Sequence, residues 1–114
     1  MSEVLDLLAT EGFELTPGVR ARPLFGAGAM LNLLDFEPNA TVAAHSHPHE
    51  QLGLVIEGRL VMRIDSVEHE LGRGGAYVIP GGVEHAAWTT DMPCRVLDVF
   101  RPVREDYRER VAGP

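Results

Sequence analysis

Cysteine is nearly missing from this sequence. Cys94 is the single one in 114 residues, so no internal disulfide can form, and a reducing, cytoplasmic setting is expected. Apolar runs are short, and none approaches the roughly 20 residues that a membrane-spanning helix needs. The opening residues, Met1-Ser2-Glu3-Val4, lack the basic segment that begins a secretory signal. Positive charge is also scarce: 10 basic residues stand against 17 acidic ones, a formal net charge of -7. That balance argues against nucleic acid or an anionic membrane surface as a partner. Internal repeats and low-complexity linkers are absent. What remains, 45% hydrophobic and 24% charged residues, is ordinary for one compact globular domain. Residues 1–114 are therefore expected to form a single domain. Its core barrel would span about residues 19–101. Residues 102–114 would be a charged, peripheral tail, partly disordered at its end.

Short segments separated by Gly and Pro turns dominate the chain. Residues 19–25, 29–37, 40–45, 52–57, 59–64, 67–71, 76–79, 85–90 and 95–100 read as strands. Alternation is clean in 59–64, with Leu60, Met62 and Ile64 directed inward and Arg59, Val61 and Arg63 outward. Asp65-Ser66 reads as a hairpin turn. A short helix over 2–10 is expected, with Ser2 as its cap and Val4, Leu5 and Leu8, with Leu7 beside them, on its apolar side. It would need docking to persist. Many short strands at this spacing mean an all-β barrel or sandwich, and a small barrel is filled by side chains or encloses one small ligand.

The stretch Ala44-His45-Ser46-His47-Pro48-His49-Glu50-Gln51 places His45, His47, His49 and Gln51 at every second position. In an extended strand, positions two apart share a face. Three imidazoles and an amide oxygen then project into one space. Neutral imidazole is the commonest metal ligand, and mixed nitrogen and oxygen ligation suits zinc, nickel, iron or manganese. A solvated, histidine-bearing loop is the plain alternative. Pro48 supports part of it, because a residue without an N–H must sit at a bend or an edge. His85, a matching fifth histidine further on, favours the metal. Segment 95–100 raises a separate question. Both its faces are apolar apart from Asp98 and the terminal Arg95, and an Asp there costs free energy unless it is paired or functional. Tyr77, Trp88 and Met62 read as core or cavity lining, His69 as a surface residue, and Cys94 as a small buried hydrophobe.

Together these residues resemble the cupin superfamily. Its first motif is Gly, five residues, His-x-His, three or four residues, Glu, six residues, Gly. Asn39, His45, His47, Gln51 and Gly58 fall at those places. Its second motif is Gly, five residues, Pro-x-Gly-x-x-His, three residues, Asn. Gly74, Pro80, Gly82, His85 and Thr89 fall there. The resemblance implies a cupin-type jelly-roll β-barrel that holds one divalent metal ion (zinc, nickel, iron or manganese) through His45, His47, Gln51 and His85. Three places depart from the pattern. Asn39 suits a turn, and Thr89 has no evident consequence. Gln51 replaces a carboxylate by a neutral amide, which leaves the ion's charge uncompensated and favours an anionic substrate and stronger Lewis acidity.

The run His45–Gln51 and the tail Leu97-Asp98-Val99-Phe100-Arg101-Pro102-Val103-Arg104-Glu105-Asp106-Tyr107 look like those of the cupins that ketonise unsaturated uronates in pectin and alginate breakdown. That family uses a glutamine ligand. An aspartate, a phenylalanine two residues on and an arginine four further on line its site, and Asp98, Phe100 and Arg104 match one by one. The activity implied is isomerase- or lyase-type ring opening of a 4-deoxy-hex-4-enuronate to its linear keto form. Asp98 would move protons, Arg104 would clamp the carboxylate and Phe100 would shape the pocket. The histidine stretch is also similar to that of cupin-type polyketide cyclases, in which His49 would be a fifth ligand. Otherwise His49 orients a ligand or the substrate, or is exposed at the bend. Polyketide cyclisation, metal-dependent dioxygenation and ligand binding without catalysis stay open as alternatives. A homodimer pairing through sheet edges follows by analogy with other single-domain members.

Overall fold

The computed structural model describes residues 2–112. Ten strands follow one another as β1 (Phe13–Thr16), β2 (Val19–Phe25), β3 (Met30–Phe36), β4 (Thr41–His45), β5 (Glu50–Gly58), β6 (Leu60–Ile64), β7 (Val67–Leu71), β8 (Ala76–Ile79), β9 (His85–Trp88) and β10 (Cys94–Arg101). A helix, α1 (Glu105–Ala112), closes the described chain. The strands make two antiparallel sheets, one ordered β1-β2-β3-β10-β5-β8 and the other β4-β9-β6-β7. This is the all-β, two-sheet jelly-roll barrel expected from the strand spacing.

Period-two alternation explains which side chains enter the barrel. On β10 Cys94, Val96, Asp98 and Phe100 are buried, whereas Arg95, Leu97 and Val99 are less so. On β5 the buried positions are Gln51, Gly53 and Val55. Phe36, Val55, Leu60, Met62, Ile79, Val96 and Phe100 join in one apolar cluster, whose burial is the main stabilising term of the fold. Asp65 and Ser66 both have positive φ, and Ile64 pairs with Val67 across them, the tight hairpin that the strand twist favours. Gly58 (φ +89°) ends β5 where a Cβ would come within 2.0 Å of the Pro93 carbonyl oxygen, so no other residue fits there.

Two of the three motif departures turn out to close one turn. Asn39 adopts the left-handed conformation (φ 57°). Thr89 is buried; its hydroxyl donates to the Glu37 carbonyl at 2.5 Å and accepts from the Ala40 amide at 3.0 Å. The residue with no evident role in the sequence therefore ties the end of β9 to the turn that leads into β4.

Three expectations need correction. No helix spans residues 2–10. A single 3₁₀ turn, Leu7–Ala9, is capped by Asp6 rather than Ser2. Val4, Leu5 and Leu8 are exposed and only Leu7 is half-buried, too little apolar surface to hold a longer helix, and a helix this short does not persist alone. The barrel begins at Phe13 rather than at residue 19, because β1 pairs with β2. The tail, finally, is docked. Tyr107 of α1 is buried against Phe13 and Phe100, with ring centroids 5.4 and 5.8 Å apart, and Val103 and Arg104 are buried before it. Glu105 and Asp106 in the first turn and Arg110 in the last suit the helix dipole. The expected disorder at the tail's end concerns residues 113–114, which lie outside the described residues. Among the described residues no helix is long and apolar enough to cross a membrane.

Candidate metal centre

His45 and His85 meet as a directly opposed cross-strand pair of β4 and β9, with ring centroids 4.4 Å apart. His47 joins them from the loop between β4 and β5, 4.9 Å from His85. One ring nitrogen from each of the three lies within 4.8 Å of the others. Gln51 reaches the same place from β5, its Oε1 3.1 Å from His47 Nε2. The expected set of four is therefore brought together, though not by one strand face. Pro48 ends the extended run, and the ligands come from both sheets and a loop. His49 is not among the clustered side chains. Its contribution is its backbone carbonyl, which meets His47 Nδ1 at 3.0 Å.

The three rings are oriented alike. His45 Nδ1 contacts the Ala43 carbonyl at 2.8 Å, His85 Nδ1 the Val83 carbonyl at 2.9 Å, and His47 Nδ1 that of His49. A carbonyl oxygen only accepts, so each Nδ1 carries the hydrogen and each ring turns its Nε2 toward the centre. Such carbonyl partners are the usual way in which ligating histidines are held. Burial, and next the charge of Arg104, lower the His47 imidazole to about 4. Burial likewise lowers His85. Both rings are neutral at pH 7, as ligation requires.

Two contacts test whether a cation fits. With His47 protonated on Nδ1, its Nε2 and Gln51 Oε1 are two acceptors 3.1 Å apart with no proton between them. Moving the proton to Nε2 only transfers the conflict to Nδ1 and the His49 carbonyl. With the hydrogen on Nδ1, a cation shared by Nε2 and the amide oxygen removes it. His85 Nε2 is buried without a partner among the described residues, a costly state for a polar atom unless a ligand answers it. The donor set thus fits a divalent ion held by His45, His47, Gln51 and His85.

Beside this cluster lies a small, partly open cavity of about 40 Å³, lined by Gln51, Met62, Tyr77, Asp98, Phe100 and Arg104 among others. Asp98 is 1% exposed. Burial pushes its carboxyl up to about 6 against the hydrogen bonds from Tyr77 and Gln51 and the Arg104 charge, all of which favour the carboxylate. The Tyr77 hydroxyl donates to Asp98 Oδ1 at 2.5 Å. Arg104 stacks on Tyr107 and Phe100, 4.3 and 5.1 Å from the ring centroids, and its guanidinium is held by both oxygens of Asp106. All three residues matched from the tail, Asp98, Phe100 and Arg104, therefore border the cavity. Of the other readings, Tyr77 and Met62 line it too, His69 is exposed, and Cys94 is buried with its thiol pushed up to about 11 by burial.

Sequence reasoning passed over Asn32. It lies directly across from Asp98 on β3, is fully buried, and neither its amide nitrogen nor its oxygen has a partner among the described residues. The signal was available: one amide among Met30, Leu31, Leu33 and Leu34. An unanswered buried amide costs about 1–3 kcal/mol. Asn32→Val is therefore expected to raise the melting temperature by several degrees in a thermal denaturation experiment. A fall of similar size would show that the amide is paired in solution.

Comparison with known proteins places residues 32–100 within the model of the Cupin domain family. The dimethylsulfoniopropionate lyase DddW of Ruegeria pomeroyi is 36% identical over 56 residues, covering 49% of this chain and 37% of that protein. The chain spans little more than a third of the length of the curated relatives it matches. Among solved structures, KdgF from Halomonas sp. superimposes with a TM-score of 0.86 at 23% identity, covering 93% of this chain and 98% of that one. The polyketide cyclase RemF from Streptomyces resistomycificus does so with a TM-score of 0.77 at 23% identity, covering 100% and 95%. At such identities the two likenesses speak for the fold alone.

Proposed function

The chain belongs to the cupin domain family, and we propose that it is a mononuclear metal-dependent enzyme that opens a small unsaturated uronate to its linear keto form. The observation that carries this reading is the meeting of a cation-binding cluster, a buried carboxyl and a guanidinium on one cavity. Bound by His45, His47, Gln51 and His85, a divalent ion supplies Lewis acidity toward a substrate oxygen on which negative charge develops. Asp98, held in the carboxylate form by its two donors and raised toward neutrality by burial, takes up and returns the proton of the tautomerisation. Arg104 draws in the substrate carboxylate. Asp106 already occupies two of its donors, so the substrate shares the guanidinium with it. Phe100 packs its ring on Arg104 and limits the pocket on the sugar side. The neutral Gln51 keeps the site attractive to an anion.

The test is to mix purified, metal-loaded protein with unsaturated galacturonate and to follow the conjugated-ene absorbance. Decay at the uncatalysed rate removes this activity. The apolar share of the lining, which includes Leu34, Phe36, Met62 and Val96, favours a second reading, cyclisation of an aromatic polyketide. Turnover of such a substrate without oxygen uptake supports that reading and excludes a dioxygenase.

The proposal extends to a homodimer in the cytoplasm. The outer face of the six-stranded sheet, rather than its edges, offers the surface. Leu31, Val99, Leu52 and Val78 form one row across β3, β10, β5 and β8, and Leu54 and Ile56 extend the exposed area. A contiguous apolar patch of this kind marks an interface, and a second copy offers the same uncharged surface in return. Leu54→Arg is expected to shift the protein from dimer to monomer in size-exclusion chromatography with light scattering. A wild type that elutes as a monomer rejects the dimer.

A further inference from the structure

We propose that Tyr77 is a positioning residue for the ligating amide of Gln51, acting through Asp98, and that Gly53 exists to let it reach there. The inference rests on the metal centre described above and not on the identity of the substrate.

Strand register puts Gly53 of β5 between Tyr77 of β8 and Asp98 of β10. Because Gly53 has no side chain, the tyrosine ring crosses over it. A Cβ at Gly53 would lie 2.1 Å from Tyr77 Cζ and 2.2 Å from its hydroxyl oxygen. Gly53 is not among the positive-φ residues, so the backbone does not ask for glycine at this position; the ring above it does. The crossing delivers the Tyr77 hydroxyl to Asp98 Oδ1. The Gln51 amide lies beside both this carboxylate and the Tyr77 hydroxyl and favours the charged form of each, while its Oε1 is turned to His47.

A carboxylate has no hydrogen to give, so the end of the amide that faces Asp98 is the NH₂. The other end, Oε1, is then the one that faces His47. Rotated by half a turn, the same amide would present NH₂ to the metal, and an NH₂ has no lone pair suited to ligation. Glutamine is thus a ligand only in one of two orientations. Asp98, anchored by Tyr77, selects the productive one. A glutamate in the same place would have two equivalent oxygens and no orientation to select.

The experiment is a cobalt(II) titration, read by calorimetry and by the visible absorption of the bound ion. It compares the wild type, Tyr77→Phe, Gly53→Ala, Gln51→Glu and the double variant Gln51→Glu/Tyr77→Phe. Tyr77→Phe and Gly53→Ala are each expected to weaken cobalt binding about tenfold, the lower end of the effect of losing an outer partner of a ligand. Tyr77→Phe is expected to leave affinity unchanged in the Gln51→Glu background, which a merely structural loss would not do. Wild-type affinity in either single variant, or an equal loss with glutamate at position 51, overturns the proposal. A wild type that binds no cobalt instead sinks the metal centre itself. Uronate turnover enters neither comparison.

Discussion

His85→Ala is expected to lose tight binding of divalent metal, and with it the thermal stabilisation that zinc or nickel confers on the wild type. An ion that binds only the folded state stabilises it by RT ln(1 + [L]/Kd), about 4 kcal/mol at a thousandfold excess over Kd. For a domain of this size that amounts to a rise of well over ten degrees. His85 is the proposed ligand on β9, opposite His45, and its Nε2 has no partner among the described residues. Its removal leaves His45, His47 and Gln51, a set open on one side. In the presence of a chelator the variant and the wild type should melt close together, because the substitution also deletes a buried unpaired nitrogen. Melting curves of both proteins with zinc, with nickel and with chelator decide the matter. A metal-dependent shift that survives in His85→Ala would remove His85 from the site.

Asp98→Asn is expected to lower turnover by 10²- to 10⁴-fold, the usual worth of a positioned acid–base group, or about 3–5 kcal/mol of barrier. The amide is nearly isosteric, and its oxygen can still accept from Tyr77, so the barrel should be unaffected. Its NH₂ cannot accept from Gln51, however, and the metal must be saturating when kcat is measured. Under that condition a rate equal to the wild type would exclude Asp98 from proton transfer. A fall that vanishes at saturating metal would assign it to the ligand alone.

Much of this centre was legible in the chain. The spacing of His45, His47, Gln51 and His85 pointed to one ion because motif distances survive whatever path the backbone takes. The geometric reason offered for it was incomplete: an alternating strand face does not describe ligands split between β4, a loop and β5. Pro48 carried that information, since it had to bend the run. Cross-strand register was the part that could not be read. Nothing local tells that Gly53 stands between Tyr77 and Asp98, or that Asn32 faces Asp98, because pairing depends on turns far apart in sequence. The tail was misjudged for a related reason. Glu105, Asp106, Arg108, Glu109 and Arg110 made it look solvated, and the contacts that dock Tyr107 come from Phe13 and Phe100, residues whose meeting only the closed barrel creates. The helix expected over residues 2–10 failed in the opposite sense, with good local pattern but with Val4, Leu5 and Leu8 left exposed.

The main-chain carbonyls of Ala43, His49 and Val83 have a consequence for the order of events in the cell. Each imidazole is stopped from spinning by a hydrogen bond that belongs to the barrel itself. Little rotamer freedom is left for an arriving ion to freeze out. The polypeptide can therefore finish folding empty and be charged with metal afterwards, unlike small zinc modules that stay unfolded until the ion assembles them.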